Sequence, residues 1–321
     1  MGFDYVKKVR ICEVGLRDGL QNEKTILTTD QKVELLRDMI DAGLKVIEVG
    51  SFVHPVKVPQ MANTDEVVKV LKEEVPADVE LRAFIPNLRG VDRAIACGCT
   101  KVKLNVSASK GHNLANLNRL PSETVAGFGE CVEKAHANGI DISGSISMAF
   151  GSPWDDEIPI DDVKEIVEAY IKTGVTEISL SDASGMAYPS QVYDICTEMK
   201  KSYPEVKWWL HFHNTRGLAI ANIIAGMQAG FSQFDASFAG VGGCPFVPNA
   251  AGNVATEDVL HALDEMGVET GVDVDKVIAI GRKVTGMLGH TADSYILKAG
   301  KSADLKLELP KGQIANQTAK K

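Results

Sequence analysis

His211 and His213, separated by Phe212 in Trp208-Trp209-Leu210-His211-Phe212-His213-Asn214, carry the strongest chemical signal in the chain. Residues two apart on a strand point to the same face, so both imidazoles can reach one ion. Two ligands do not complete a site. Asp18, in Leu16-Arg17-Asp18-Gly19, is the natural carboxylate partner, and Asn253, directly after Gly252, is the candidate fourth donor. Two imidazoles, a carboxylate, an amide oxygen and water suit octahedral Mg2+ or Mn2+, with catalytic Zn2+ as the alternative. An isolated His-x-His pair is more often two half-buried strand histidines; the carboxylate-bearing segments around this one favour a metal site.

Arg17 precedes Asp18 at a chain reversal, where a guanidinium can neutralise charge developing on a substrate oxygen. Taken alone it reads as an ion-pair partner of Glu48. In Gly240-Val241-Gly242-Gly243-Cys244-Pro245, three glycines lead into a Cys-Pro, which suggests a mobile loop presenting the Cys244 thiol. The G-x-G-x-x-G spacing of a phosphate cradle is absent there. Gln21 and Asp182 are the remaining candidates for binding substrate.

These residues need elements to position them. Short β-branched runs at 9–17, 46–52, 80–86, 101–107, 142–149, 177–182, 208–213 and 233–239 read as strands. Segments of helical period lie between them at 30–42, 65–74, 122–138, 161–173, 191–201, 218–228 and 256–265. Thr28-Thr29 marks the start of the first helix and Ala42-Gly43 its end, and Glu257 and Asp258 open the last against the helix dipole. Eight β-α units in roughly 250 residues predict a (β/α)8 TIM barrel over residues 1–290, whose carboxyl-terminal strand ends collect the active site. An open doubly wound sheet is the competing architecture. Residues 273–289 read as an additional C-terminal helix, within a plan that ends in a partly flexible extension over 291–321.

A composition 45% hydrophobic and 24% charged is that of a foldable chain, and the net charge of -9 argues against a nucleic-acid partner. Met1 to Val14 reaches Lys7, Lys8 and Arg10 before any long apolar run, and no stretch approaches the roughly 18 apolar residues of a membrane span, so a cytoplasmic location without membrane contact is expected. Six scattered cysteines without a C-x2-C pair argue against structural zinc and a disulfide framework.

The run from Glu13 to Glu23, containing Gly15-Leu16-Arg17-Asp18-Gly19-Leu20-Gln21-Asn22, resembles the strand-1 motif of the DRE-TIM metallolyases, and most closely that of the hydroxymethylglutaryl-CoA lyases. Ser51-Phe52-Val53, Val58-Pro59-Gln60-Met61, Gly242-Gly243-Cys244-Pro245-Phe246 and the run Gly252 to Asp258 are similar to further segments of that family. The resemblance spans about residues 9–290. It implies a retro-Claisen cleavage of a 3-hydroxyacyl-CoA such as 3-hydroxy-3-methylglutaryl-CoA, with a divalent metal held by Asp18, His211, His213 and Asn253. It further implies that Arg17 stabilises the departing thioester enolate, that Cys244 assists proton transfer as the site closes, and that Glu48 holds Arg17 or a ligand in place. The base that takes the hydroxyl proton stays open among Asp18, a metal-bound His such as His211, and a water. A homodimer is also implied.

The sequence departs from the family where Arg-Gly-Tyr is replaced by Ser143-Gly144-Ser145, where Asn214 and Arg216 stand in the segment after the histidines, and at His54. Grouped around one region, these changes point to a different acyl group. A same-chemistry lyase acting on citramalyl-CoA or a longer branched hydroxyglutaryl-CoA is the nearest alternative. The isopropylmalate and homocitrate synthases, which share His211-Phe212-His213-Asn214 more closely, are another; Cys244 and the absence of a further carboxyl-terminal domain weigh against them. An amidohydrolase would carry its His-x-His on the first strand with later His and Asp ligands, and a non-catalytic scaffold would have lost the ligand set.

Overall fold

The computed structural model describes residues 4–155, 157–243, 251–291 and 293–305. Its eight strands are β1 (Arg10–Glu13), β2 (Val46–Ser51), β3 (Glu80–Ile85), β4 (Lys101–Ser107), β5 (Asp141–Ser147), β6 (Glu177–Asp182), β7 (Lys207–Phe212) and β8 (Gln233–Ala236). Each pairs in parallel with the next, and β8 returns to β1, so the sheet closes into a barrel rather than remaining open. The helices that wrap it include α1 (Thr29–Asp41), α2 (Thr64–Leu71), α3 (Leu88–Cys97), α4 (Lys110–Leu117), α5 (Pro121–Ala126), α6 (Phe128–His136), α7 (Ile160–Lys172), α8 (Pro189–Ser202), α9 (Ala219–Gln228) and α10 (Thr256–Glu265), followed by α11 (Val274–Leu288) and α12 (Tyr295–Ala299). Among the described residues, no helix is long and apolar enough to cross a membrane.

Local chemistry sets the boundaries. Thr28 caps α1 with its side chain on the Gln31 amide, and Gln31 returns the bond to the Thr28 amide, a reciprocal capping box. Gly43 then turns the chain at φ +95. The segment predicted as one helix over 122–138 is two, broken at Gly127, and α3 was not among the predicted segments although Asn87 caps its start and left-handed Gly98 ends it. The first strand is shorter than the predicted 9–17. After Glu13 the Val14 carbonyl accepts from the amides of Arg17, Asp18 and Gly19, which winds residues 15–19 into a π-helical turn. Gly15 permits this turn: a Cβ there would stand 2.4 Å from the Phe238 ring.

Polar and apolar residues alternate along Lys101-Val-Lys103-Leu-Asn105-Val-Ser107 and Ser143-Gly-Ser145-Ile-Ser147. The period of two sends the apolar set outward under the helices and the polar set into the lumen. The lumen is therefore ionic where barrels usually stack branched aliphatics. At its amino-terminal end, buried Arg82 pairs with Glu80 and Glu177, and Lys101 reaches Glu177 at 2.9 Å. Above that layer Lys103 faces Asp235 and Glu48.

Candidate active site

Asp18 is carried on the π-helical turn after β1, His211 on β7, and His213 just beyond it. The Nε2 atoms of His213 and His211 stand 3.4 and 3.8 Å from Asp18 Oδ2. One ligand atom from each of the three residues falls within 4.8 Å of the others, the spacing of donors around a single ion. Asn253 joins them because the chain returns past the end of β7. The Asn214 amide donates to the Gly252 carbonyl and the Val254 amide to the Phe212 carbonyl, which sets Asn253 opposite His213. Its amide nitrogen donates to Asp18 Oδ2 at 2.9 Å, while its oxygen is buried with no hydrogen-bond partner among the described residues.

That orphaned oxygen is the best test of whether a cation fits. A buried acceptor without a donor is costly, and an ion at the centre of this donor set would satisfy it. Asp18, Glu48 and Asp235 are three carboxylates lining one cavity of about 520 Å3, with Arg17 and Lys103 as the cations that pair with them and exposed Lys57 as a further lining cation. Burial opposes ionisation of Asp18, but the Arg17 guanidinium and the His213 hydrogen bond outweigh it and hold the carboxyl well below the usual range. Burial likewise works against charge on Asp235, and the Lys103 ammonium with the His211 hydrogen bond brings it down to about 2. Asp235 Oδ2 lies 3.2 Å from His211 Nδ1, the carboxylate–imidazole arrangement that orients metal-binding histidines.

Arg17 lies against the Phe84 ring, 4.5 Å from its centroid, and pairs with Asp18. Gln21 lines the cavity and donates to Asp18 Oδ1 at 3.2 Å. Glu48 also lines it but stands 3.6 Å from Lys103 Nζ, and among the described residues no hydrogen bond joins it to Arg17. Its influence on the guanidinium is electrostatic. Asp182, expected to bind substrate, is fully buried and not among the residues that line the cavity; its carboxylate accepts from Ser184 Oγ, the Met186 amide and the Ala187 amide and so builds the turn after β6. Ser181 lines the cavity in its place. Cys244 lies outside the described residues; Gly243, immediately before it, is on the cavity wall. Cysteines 12, 97, 99, 131 and 196 are free and buried.

The HMGL-like family profile matches residues 8–284. An (R)-citramalyl-CoA lyase of Chloroflexus aurantiacus is 38% identical over 92% of this chain and 96% of its own, and the hydroxymethylglutaryl-CoA lyase YngG of Bacillus subtilis is 35% identical over 93% and 99%. The chain belongs to the hydroxymethylglutaryl-CoA lyase family. It is accordingly a carbon–carbon lyase. The fold agrees: the structure of an HMG-CoA lyase from Acinetobacter baumannii, in complex with coenzyme A and 3-methylmalate, superposes at TM-score 0.90 with 38% identity, covering 95% of this chain and 98% of that one.

Against that family, the departures do not cluster as expected. Of the five, Ser145 lines the cavity. Ser143 is buried lower in the lumen with its hydroxyl 3.5 Å from the Val102 carbonyl, Asn214 caps the start of α9 through the Ala219 amide, Arg216 donates to the Ser184 and Gly185 carbonyls, and His54 is exposed in a turn. Sequence reasoning missed Lys103, Asn105, Ser147 and Asp235, which line the same cavity. The signal for the β4 and β5 residues was the alternation of polar and apolar residues, which marks a polar lumen face.

Proposed function

We propose that this lyase cleaves a 3-hydroxyacyl-CoA to acetyl-CoA and a keto acid, with 3-hydroxy-3-methylglutaryl-CoA, which would give acetoacetate, as the first candidate. The observation that carries the reading is the convergence of Asp18, His211 and His213 beside Arg17 in one cavity, with Asn253, whose buried oxygen has no hydrogen-bond partner among the described residues, bonded to Asp18. A divalent cation, Mg2+ or Mn2+ before Zn2+, supplies Lewis acidity that eases ionisation of the substrate hydroxyl. The hydroxyl proton passes to Asp18, to an imidazole or to water. The oxygen lone pair forms the new carbonyl, the adjacent carbon–carbon bond breaks, and its electron pair moves into the thioester as an enolate. Arg17, whose buried Nε has no hydrogen-bond partner among the described residues, faces that developing charge. Cys244 delivers the proton that completes the methyl group of acetyl-CoA, so Cys244→Ser should leave binding nearly intact and slow turnover.

A second reading takes citramalyl-CoA, whose products would be acetyl-CoA and pyruvate. It is favoured by the cavity wall formed by Asn105, Ser145, Ser147 and Ser181, where Ser147 Oγ donates to Asn105 Oδ1 at 2.7 Å and the Ser145 and Ser181 hydroxyls lie 3.3 Å apart. Such a surface suits a compact, carboxylate-bearing acyl group. The citramalyl-CoA lyase relative and the coenzyme A and 3-methylmalate bound by the A. baumannii enzyme support a short hydroxydiacid thioester. The deciding experiment incubates the protein with Mg2+ or Mn2+ and each thioester and measures acetyl-CoA. Release from either supports the reaction class and ranks the substrates; none from any hydroxyacyl-CoA with either metal refutes it.

A further inference from the structure

β4 and β8 stand on opposite walls of the eight-stranded barrel, and one side chain joins them through the lumen. The Lys103 ammonium lies 3.3 Å from Asp235 Oδ2 and 3.6 Å from Glu48 Oε1, with the residue 5% exposed. Asp235 Oδ2 is the same atom that faces His211 Nδ1 at 3.2 Å. The other Asp235 oxygen is buried with no hydrogen-bond partner among the described residues, so the carboxylate is oriented chiefly by Lys103 and His211. Within β4 and β5, Lys103 is the register partner of Ser143, whose short side chain leaves this layer of the lumen to the lysine.

We propose that Lys103 is a positioning residue for this active site: by clamping Asp235 it fixes the His211 ring with Nε2 turned toward Asp18. The inference rests on the metal-site reading above. An imidazole that donates from Nδ1 to a held carboxylate presents its Nε2 lone pair in one direction. A carboxylate freed to rotate about Cβ–Cγ loses that control. The clamp also balances charge. Without the ammonium, Asp18, Glu48 and Asp235 share a low-dielectric cavity with Arg17 and the exposed Lys57 as the remaining fixed cations among the residues that line it. Neither effect requires Lys103 to touch substrate. The role belongs to charge and position rather than to the lysine itself, so a cation entering from Ser143 should substitute for it.

The test uses the full chain, with Mn2+ alone as the probe. Wild-type protein, Lys103→Met, Lys103→Arg and the double variant Lys103→Met/Ser143→Arg are compared by calorimetric Mn2+ titration, by 15N-histidine NMR of the metal-free proteins, and by kcat and KM on whichever thioester is cleaved. Lys103→Met should weaken Mn2+ binding about 10- to 100-fold and change the His211 tautomer signature before any metal is added. It should lower kcat more than it raises KM. Lys103→Arg and the double variant should recover most of the Mn2+ affinity. Unchanged affinity with an unchanged His211 signature in Lys103→Met overturns the proposal. So does a raised KM with normal Mn2+ binding, which would make Lys103 a substrate contact, or failure of both cation-restoring variants. Should Lys103→Met not fold, Lys103→Gln takes its place under the same criteria. Wild-type protein that binds no Mn2+ refutes the metal site itself, an outcome distinct from any difference among the variants.

Discussion

Asn253 donates its amide hydrogen to Asp18 Oδ2 at 2.9 Å while its own oxygen is buried with no hydrogen-bond partner among the described residues, so two residues 235 apart in sequence are joined beside the candidate metal ligands. Asn253→Ala removes both the prop under Asp18 and the fourth donor. We expect Mn2+ affinity to fall at least about tenfold, by analogy with residues that orient or complete a metal site, with turnover falling in parallel. Calorimetry measures the first and acetyl-CoA release the second. Unaltered affinity would remove Asn253 from the ligand set.

Arg17 is the cation nearest Asp18, and it rests on Phe84 within the cavity. Arg17→Met keeps much of that packing and deletes the charge. The expected outcome is retained Mn2+ binding with kcat reduced by about 10²–10³, the size seen when one group stabilising a transition-state oxyanion is lost. A variant with normal kcat and a raised KM would instead give Arg17 a role in ground-state binding.

Asp182 anchors three donors in the turn after β6. Asp182→Ala strands the buried Ala187 amide and should destabilise the protein by about 2–3 kcal/mol. The carboxylate does not line the cavity, so KM of the folded enzyme should hold. Urea denaturation reports the stability and steady-state kinetics the KM. A large rise in KM at undiminished stability would return Asp182 to the substrate-binding set.

Glu257, buried at the start of α10, accepts the Ala239 amide, and burial pushes its carboxyl from the ordinary 4.5 up to about 8. Between those values the folded state keeps a proton that the unfolded chain releases. Its contribution is therefore full below pH 4.5 and is lost as pH rises to about 8, at about 1.4 kcal/mol per pH unit. Glu257→Gln, neutral throughout, should flatten the decline in urea midpoint between pH 5 and 8. Glu13, raised to about 7, contributes a residual slope over a narrower window. Parallel curves for wild type and variant would show that Glu257 is not the source.

The sequence alone determined the order of the eight strands, most of the helices between them and the face that His211 and His213 share, because these follow from periodicities of a few residues and from caps such as Thr28 and stops such as Gly43; α3 and the break at Gly127 were not read from it. The tertiary structure decided what lies across the barrel. That Asp18 sits on a π-helical turn depends on Val14 accepting three amides and on Phe238 closing over Gly15. That Asp182 is a turn anchor depends on amides folded back toward it. That Lys103 meets Asp235, 132 residues away, depends on closure of β8 onto β1. Local propensity acts over one or two turns of chain, whereas the direction of a lumen side chain and the charge it meets are set only once eight strands have closed.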